Sequence, residues 1–166
     1  MDEITNPSEA LKAAFRRHAS GVCIITLNDA TGHPVGFTAT SVTSLGSEPA
    51  LITFNVSRGA KSWPALSQAE FVAISMLNEK TLNVAKKLSS DYTQRFLEDD
   101  WYREEKHQLP VFKNINAVLI CKVRRFIEVE ANAVFIVDVE TGLLPEEFAG
   151  LLYHQRGYVL PGERLS

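Results

Sequence analysis

The sequence predicts a mainly β protein, an antiparallel barrel with helices inserted between its strands. A succession of short apolar segments has the length and the β-branched content of strands. Helical patterns fall between some of these segments, but without the regular strand–helix alternation of a parallel sheet. The chain has 166 residues, of which 45% are hydrophobic. This is enough apolar material for the core of one domain, which we expect to span residues 1–166.

The first half of the chain predicts one helix and three strands. Ser8 can cap the helix, and Leu11 and Phe15 recur at helical spacing on one face together with Ala14 and His18. Turn chemistry separates the β-rich runs that follow. The predicted elements are a helix over Pro7–Ala19, strands over Gly21–Leu27, Val35–Ser44 and Leu51–Val56, and turns over Asn28–Gly32 and Leu45–Pro49.

The second half predicts two more helices and further strands. Pro64 is compatible with a helix because it falls in the first turn, and Asn78 is a suitable cap for the next helix. The predicted elements are helices over Lys61–Ala69 and from Asn78 through Leu88, and strands over Phe71–Met76, Ala117–Glu130, Ala133–Glu140 and Gly150–His154. Between them, Ser89–Gln108 mixes acidic and aromatic residues, and we interpret it as a surface loop with some helix that could act as a lid.

The segment Gly36–Trp63 carries the clearest functional signal. Polar side chains on alternate residues of a strand all emerge on one face, where they can line a pocket while the other face packs. Thr38, Thr40 and Ser41 supply hydroxyls of this kind, although threonine is also common in ordinary strands. At the end of the segment, hydroxyls, cations and a carboxamide gather where a helix could begin, which suits a phosphate group. These residues are Asn55, Ser57, Arg58, Lys61 and Ser62.

Composition and spacing exclude several classes of function. The net charge of −3 argues against nucleic acid or an anionic membrane as the main partner. Residues 59–62 lack the spacing of a P-loop, and neither cysteine has metal-site spacing, so no metal site is predicted. Cys23 and Cys121 lie in apolar runs and are expected to be buried free thiols. The polar start of the chain does not resemble a signal peptide, and no apolar run is long enough to span a membrane, so we expect a cytoplasmic protein.

Several stretches of the chain resemble the flavin reductase-like family, the small FMN-binding split-barrel proteins that reduce free flavin with NAD(P)H. The most specific of these stretches combines a Gly-x-Thr-x-(Ser/Thr)-Ser strand with a Glu-Pro turn and an Asn-x-Ser sequence. One departure concerns the late strand, where reductases of the family usually carry Gly-Asp-His and this chain has Glu130–Asn132. The matching stretches are Phe15–Asp29, Gly36–Ser57, Ser67–Glu79, Gln94–Phe96 and Leu151–Tyr158.

The resemblance implies a Greek-key split β-barrel and a homodimer that binds FMN or FAD in a groove near its interface. It implies NADH or NADPH as the electron donor, with hydride passing directly between the two cofactors, so that no catalytic side chain is required. His154 and Arg156 are the candidate nicotinamide contacts, and a partner monooxygenase could receive the reduced flavin. The residues that the resemblance and the polar segment assign to the flavin are Thr38, Ala39, Thr40, Ser41, Phe54, Asn55, Ser57, Lys61, Ser62, Trp63, Arg95 and Phe96.

Several alternatives stay open from the sequence. The chain could be a flavoprotein that keeps FMN and passes electrons to a protein or another substrate, which the missing Gly-Asp-His favours. It could also be a split-barrel binding module without redox turnover. Trp63 could stack on a ring or fill the core, and Arg95 could pair with Asp91 or Asp99 instead of contacting a cofactor.

Overall fold

The computed structural model describes residues 3–166, and the mainly β prediction with antiparallel pairing is confirmed. Met1 and Asp2 of the predicted polar start lie outside the described residues. The elements are α1 Pro7–Arg16, β1 Ser20–Gly21, β2 Cys23–Asn28, β3 Pro34–Ala39, β4 Thr43–Ser47, β5 Ala50–Ser57, α2 Trp63–Leu66, β6 Phe71–Met76, a 3-10 helix Glu79–Thr81, α3 Leu82–Leu88, a 3-10 helix Tyr92–Gln94, β7 Trp101–Arg103, β8 Pro110–Phe112, β9 Ala117–Val129, β10 Asn132–Leu143, β11 Leu152–His154 and β12 Gly157–Val159.

A seven-stranded antiparallel sheet in the order β3-β2-β6-β9-β10-β5-β4 dominates the fold. Its two edge strands, β3 and β4, are connected by only Thr40–Val42. A link of this length spans at most about 14 Å, so the sheet must curl until its two ends approach each other. The Oγ atom of Ser41 accepts a hydrogen bond of 2.9 Å from the backbone N–H of Asn55 in β5, which ties this link to the far end of the sheet.

The sheet is buried on both faces, which explains the continuous apolar runs in its central strands. Ile25 belongs to one core cluster and its neighbour Ile24 to the other, because successive side chains point to opposite faces. The first cluster contains Phe54 and Phe135, whose rings stack 5.1 Å apart. The second cluster lies beneath α3 and the β7–β8 hairpin. Both predicted free thiols are buried, and burial raises the pKa of Cys23 to about 11 and that of Cys121 to about 12.

Elements that depend on local signals agree with the prediction. Strand β6 has the predicted bounds. Asn78 caps the helical segment, since its side chain accepts a hydrogen bond of 2.9 Å from the N–H of Lys80, while the Thr81 side chain accepts one from the N–H of Asn78. Strands β9 and β10 form the predicted long hairpin. Its tight turn is at Glu130 and Ala131, one residue before the predicted connection at Ala131 and Asn132.

Several boundaries were predicted wrongly. A single strand over Val35–Ser44 does not form, because the chain leaves β3 after Ala39 and crosses to β4 at the opposite edge. Residues 45–47, expected in a turn, belong to β4, since pairing with β5 holds them extended. Helix α1 is capped by Asn6, which accepts from the N–H of Glu9, and it ends at Arg16. The helix predicted over Lys61–Ala69 is reduced to α2.

The segment predicted as a surface loop has two parts of different character. Its first part carries the 3-10 helix Tyr92–Gln94, in agreement with the prediction. Its second part contains β7, which pairs with β8, and the turn between them is organised by Glu104. This buried carboxylate accepts hydrogen bonds from the N–H groups of Lys106, His107 and Leu109 at 2.6–3.0 Å.

The C-terminal part forms a small second sheet, of which the sequence predicted only one strand. Strand β11 pairs with β1 on one side and with β12 on the other. The prediction included β11 but treated the residues after His154 as a tail. No helix within residues 3–166 combines the length and the apolar character required to cross a bilayer.

Candidate functional site

The first of two adjoining cavities, here called the Lys61 cavity, lies where the curled sheet brings β3 close to the end of β5. Its volume is about 590 Å³, within the range of small-molecule sites. One wall comes from β3, β5 and the loop before α2, and the opposite wall comes from the end of α3 and the segment after it. The lining residues are Phe37, Thr38, Asn55, Val56, Ser57, Ala60, Lys61, Ser62, Leu88, Ser89, Ser90, Asp91, Tyr92 and Arg95.

The second cavity, here called the Thr40 cavity, has a volume of about 470 Å³. It shares Thr38, Asn55, Val56 and Ser57 with the Lys61 cavity, so the two adjoin along β5. The link between the edge strands forms one wall, and the start of β10 forms another. Its remaining lining residues are Ala39, Thr40, Ser41, Val129, Asn132, Ala133 and Val134.

The predicted alternation along β5 accounts for the shared wall. Asn55 and Ser57 are exposed, whereas Phe54 and Val56 between them are buried. Most residues assigned from the sequence line one of the two cavities, on elements far apart in the chain. These are Thr38, Ala39, Thr40, Ser41, Asn55, Ser57, Lys61, Ser62 and Arg95.

Three assigned aromatic residues lie behind the cavity walls. The Phe54 side chain is 0% exposed, so only its backbone can face a ligand. Trp63 packs edge-on against Phe126 and Phe135, with centroids 5.4 and 6.2 Å away, which supports its interpretation as a core residue. Phe96 packs edge-on against Trp101 at 5.4 Å.

Two of the predicted hydroxyl groups are engaged within the protein. The Thr38 hydroxyl donates a hydrogen bond of 2.8 Å to the carbonyl oxygen of Ala85 in α3. Ser41 bonds the backbone of Asn55, as described above. Thr40 is exposed in the link between them. These bonds hold the cavity walls in place and leave Thr40 as the more available hydroxyl for a ligand.

In the loop before α2, the groups available to a phosphate are mainly side chains, because several backbone N–H groups are already bonded. The N–H groups of Arg58, Gly59 and Ala60 bond to Ala131 O, Ser57 Oγ and Ser57 O, respectively. Helix α2 has only four residues, and these three N–H groups are already engaged within the protein. A phosphate here would depend on the exposed Lys61 and the buried Ser62, whose side chain makes no capping bond to α2.

Arg58, expected beside Lys61, does not line either cavity. Its Nη1 atom donates to the carbonyl oxygen of Glu130 at 2.9 Å, and its Nη2 atom lies 3.3 Å from the carboxylate of Glu128. The guanidinium is also 5.7 Å from the ring centre of Trp63. Its contacts with the acidic end of β9 therefore hold Arg58 away from the Lys61 cavity, where the phosphate was predicted to bind.

The sequence reading missed most of the wall formed by Ser89–Tyr92. Asp91 begins the 3-10 helix, and its side chain accepts hydrogen bonds from the N–H and the hydroxyl of Thr93 at 2.9 and 2.8 Å. These bonds, together with the nearby cations Lys61 and Arg95, lower the pKa of Asp91. The Asp-x-Thr spacing is a helix-start signal that could have located the helix, but not its position opposite Lys61.

Arg95 anchors this wall to the sheet. Its Nη1 atom donates to the carbonyl oxygen of Gly36 at 2.7 Å, and its Nη2 atom donates to that of Ser90 at 3.0 Å. Its guanidinium lies 5.3 Å from the ring centre of Tyr92. Burial lowers its pKa, and Tyr92 and Asp91 act in the opposite direction. The sequence left open an ion pair between Arg95 and Asp91 or Asp99. The carbonyl groups of Gly36 and Ser90, and not either carboxylate, are the main contacts of Arg95.

The candidate nicotinamide contacts His154 and Arg156 line a third cavity of about 390 Å³, next to α1. Lys12, Phe15, Arg16 and His18 complete much of its lining. Within residues 3–166, this third cavity shares no lining residue with the Lys61 or Thr40 cavity. Asn132, part of the stretch that departs from the family motif, does line the Thr40 cavity.

The two adjoining cavities fit a phosphorylated ligand with a polar ring system. Lys61 and Ser62 supply a cation and a hydroxyl for an anion, and Thr40 and Asn55 supply a hydroxyl and a carboxamide farther along the cleft. Across residues 3–166, histidine, cysteine and carboxylate side chains form no group that could hold a metal ion.

Comparison with known proteins gives a consistent result. The family described as "Flavin reductase like domain" matches residues 15–160. The chain is 34% identical over 155 residues to the NADH:FMN oxidoreductase of Rhodococcus qingshengii, covering 90% of this chain and 80% of that protein. It is 28% identical over 163 residues to the reductase component of the flavin-dependent trigonelline monooxygenase of Acinetobacter baylyi, covering 98% of this chain and 52% of that protein.

A solved structure with the same fold is the flavin reductase domain protein of Arthrobacter sp. FB24. The two superpose with a TM-score of 0.90 at 37% sequence identity, covering 95% of this chain and 97% of the other.

Proposed function

Because this chain belongs to the flavin reductase like family, we propose that it is an NAD(P)H-dependent flavin reductase that acts on FMN or FAD. The observation that carries this proposal is the pair of adjoining cavities at the place where edge strand β3 comes close to the end of β5. One holds the cation and hydroxyl suited to a phosphate, and the other is lined by polar strand residues suited to a ring edge. The proposal treats residues 1–166 as a single domain in which these cavities form one cleft.

The residues of the cleft have separate tasks in this proposal. Lys61 and Ser62 hold the flavin phosphate, and Asn55 and Thr40 orient the ring through hydrogen bonds. Ser41 holds the link that carries Thr40 against β5. A bound flavin would supply the redox chemistry itself by accepting hydride from a reduced nicotinamide. The protein therefore needs no acid–base side chain and contributes by holding the two rings together and excluding water.

We extend the proposal to a Greek-key split barrel and a homodimer. The short link between the two edge strands supports the barrel. An apolar groove of about 910 Å³ runs from edge strand β4 to the segment after β10, near the exposed Leu144. A second copy would cover both an edge strand and an apolar surface that water otherwise contacts. Light scattering at micromolar concentration tests this, because the monomer mass of 18.5 kDa would rule it out.

We also propose that reduced flavin passes to a partner monooxygenase, as the name of the Acinetobacter baylyi relative suggests. An exposed cleft suits a protein that releases its flavin. The proposed location is the cytoplasm, where the two buried free cysteines fit a reducing environment.

A flavoprotein that keeps FMN and reduces another substrate is the second candidate. The observation that favours it is the position of Asn132 in the Thr40 cavity, within the stretch that replaces the usual Gly-Asp-His. A neutral carboxamide there offers a different set of hydrogen bonds from a histidine.

Anaerobic stopped-flow mixing of the protein, FMN and NADH separates the candidates. A flavin reductase bleaches several equivalents of added FMN, and the reaction should be repeated with FAD and NADPH to define the preferred pair. Bleaching that stops at one equivalent of retained flavin would favour the second candidate. Absence of oxidation of NADH and NADPH with either flavin would contradict the proposed function.

A further inference from the structure

We propose that Asp91 is a specificity-determining residue that weakens binding of the flavin phosphate in the Lys61 cavity and so promotes release of phosphorylated flavins. The inference rests on the proposed function, which supplies the phosphorylated ligand. It concerns a residue that the sequence reading did not assign to the site.

The position of Asp91 is the first observation. It lines the same cavity as Lys61, Ser62 and Arg95, at the start of the 3-10 helix after α3. Among the described residues that line this cavity, it is the only carboxylate. An anionic ligand held by Lys61 therefore binds in a cavity that already contains one fixed negative charge.

The second observation is that Asp91 cannot easily turn away or lose its charge. Both hydrogen bonds from Thr93 hold the carboxylate in place at the start of the 3-10 helix. The same bonds favour its ionised form, so it remains charged at neutral pH. Asp91 is exposed, but unlike a carboxylate without partners it is held in one orientation by Thr93.

The third observation concerns the cations. Arg95 is committed to the carbonyl groups of Gly36 and Ser90, so Lys61 is the more available cation for a ligand. The positive charge of Lys61 contributes to lowering the pKa of Asp91, after the hydrogen bonds from Thr93. A phosphate held by Lys61 therefore lies in the same cavity as a carboxylate that repels it.

This arrangement suits a protein that hands its flavin on. Tight binding of the phosphate would slow the release of reduced flavin. A fixed negative charge near the phosphate weakens that binding and so speeds the release. Riboflavin has no phosphate and should not respond to this charge. The difference between FMN and riboflavin therefore isolates the effect.

The test compares Asp91→Asn, Asp91→Glu and the control Asp99→Asn. Asparagine keeps the oxygen that accepts from Thr93 but removes the charge, while glutamate keeps the charge and alters the helix start. Asp99 is on the same segment, its side chain is 99% exposed, and it does not line the cavity. Dissociation constants for FMN and riboflavin are measured by flavin fluorescence at low and high salt, and FMN dissociation rates by stopped flow.

We expect Asp91→Asn to tighten FMN binding by about threefold to tenfold at low salt, with less effect at high salt because charges across a solvated cavity are screened. Slower FMN release should accompany this, while riboflavin binding and the other two variants stay near the wild type. Equal changes for FMN and riboflavin, or the same change in Asp91→Glu, would overturn the proposal. Failure of the wild type to bind either FMN or FAD would instead refute the proposed function, and this inference with it.

Discussion

The guanidinium of Arg95 donates a hydrogen bond of 2.7 Å to the carbonyl oxygen of Gly36, although the two residues are 59 positions apart in the chain. This bond joins the segment after α3 to edge strand β3. Phe96 reinforces the junction, since a Cβ atom on Gly36 would lie only 3.0 Å from its ring. One wall of the Lys61 cavity is therefore attached to the sheet at a small, closely packed contact.

Replacing Arg95 with lysine should loosen this wall. Lysine keeps the positive charge but cannot present two nitrogen atoms to the carbonyl groups of Gly36 and Ser90. We expect a loss of about 1–3 kcal/mol in the free energy of unfolding, faster hydrogen exchange in residues 89–95, and weaker FMN binding. Arg125→Lys, at an exposed position on β9, is the control. Unchanged exchange in residues 89–95 would show that Arg95 does not anchor the segment.

Replacing Gly36 with alanine tests the same contact from the other side. The added methyl group would meet Phe96, Thr26 and Leu88 at 3.0–3.1 Å. Overpacking of this kind usually costs about 1–3 kcal/mol, so we expect a lower midpoint in urea unfolding and weaker FMN binding. Gly21→Ala is a matched control in a strand, because no atom lies within 4 Å of the added carbon. Equal midpoints for the two variants would contradict the expectation.

Replacing Lys61 and Ser62 together with alanine should weaken FMN binding at least tenfold. Each charge-assisted hydrogen bond contributes about 1.5–3 kcal/mol, and both residues line the same cavity. Riboflavin should bind almost as well as it does to the wild type, because it lacks the phosphate. Lys86→Ala, at an exposed position on α3 outside the cavity, controls for loss of charge. Equal losses for FMN and riboflavin would mean that the phosphate binds elsewhere.

His154→Ala and Arg156→Ala should raise the KM for NADH or NADPH, or lower turnover, if these residues contact the dinucleotide. Imidazole can bond an amide and guanidinium can bind a pyrophosphate. Flavin affinity should stay within about threefold, under ~0.7 kcal/mol, because neither residue lines the Lys61 or Thr40 cavity. Asn132→Ala is the comparison variant. If it alone impairs NAD(P)H kinetics, the dinucleotide binds in the Thr40 cavity instead.

Glu104 should make stability depend on pH. Its burial raises the pKa, but hydrogen bonds from Leu109, Lys106 and His107 lower it more, so its pKa in the folded protein is below the ordinary value. The stabilisation is present above the unfolded pKa of about 4.3 and is lost as the pH falls through the folded value.

Glu104→Gln removes this contribution and should lower the free energy of unfolding at pH 7 by about 1–3 kcal/mol. Urea unfolding at pH 7 and in acid should then show a smaller acid-induced loss than in the wild type. Glu105→Gln, at an exposed position, should behave like the wild type. A variant as stable as the wild type at pH 7 would refute this role.

Much of the fold and part of the site could be predicted because their causes are local. The alternation along β5 places Asn55 and Ser57 on the opposite face from Phe54 and Val56, and it follows from strand geometry alone. The Asn78 cap depends on bonds to residues two and three positions away. The wrongly placed Ser8 cap shows the limit of such signals, since Asn6 two residues earlier can take the same role.

The sequence by itself determined that the protein is mainly β, that Gly36–Trp63 carries polar side chains on one strand face, and that Lys61 and Ser62 lie together. Only the tertiary structure decided that β3 and β4 occupy opposite edges of one sheet, that Arg58 turns to Glu128 and Glu130, and that Asp91 lines the same cavity as Lys61. Local patterns reflect the stereochemistry of neighbouring residues, whereas edge pairing and the choice of ionic partners depend on contacts between segments far apart in the chain. Such contacts exist only once the sheet has curled.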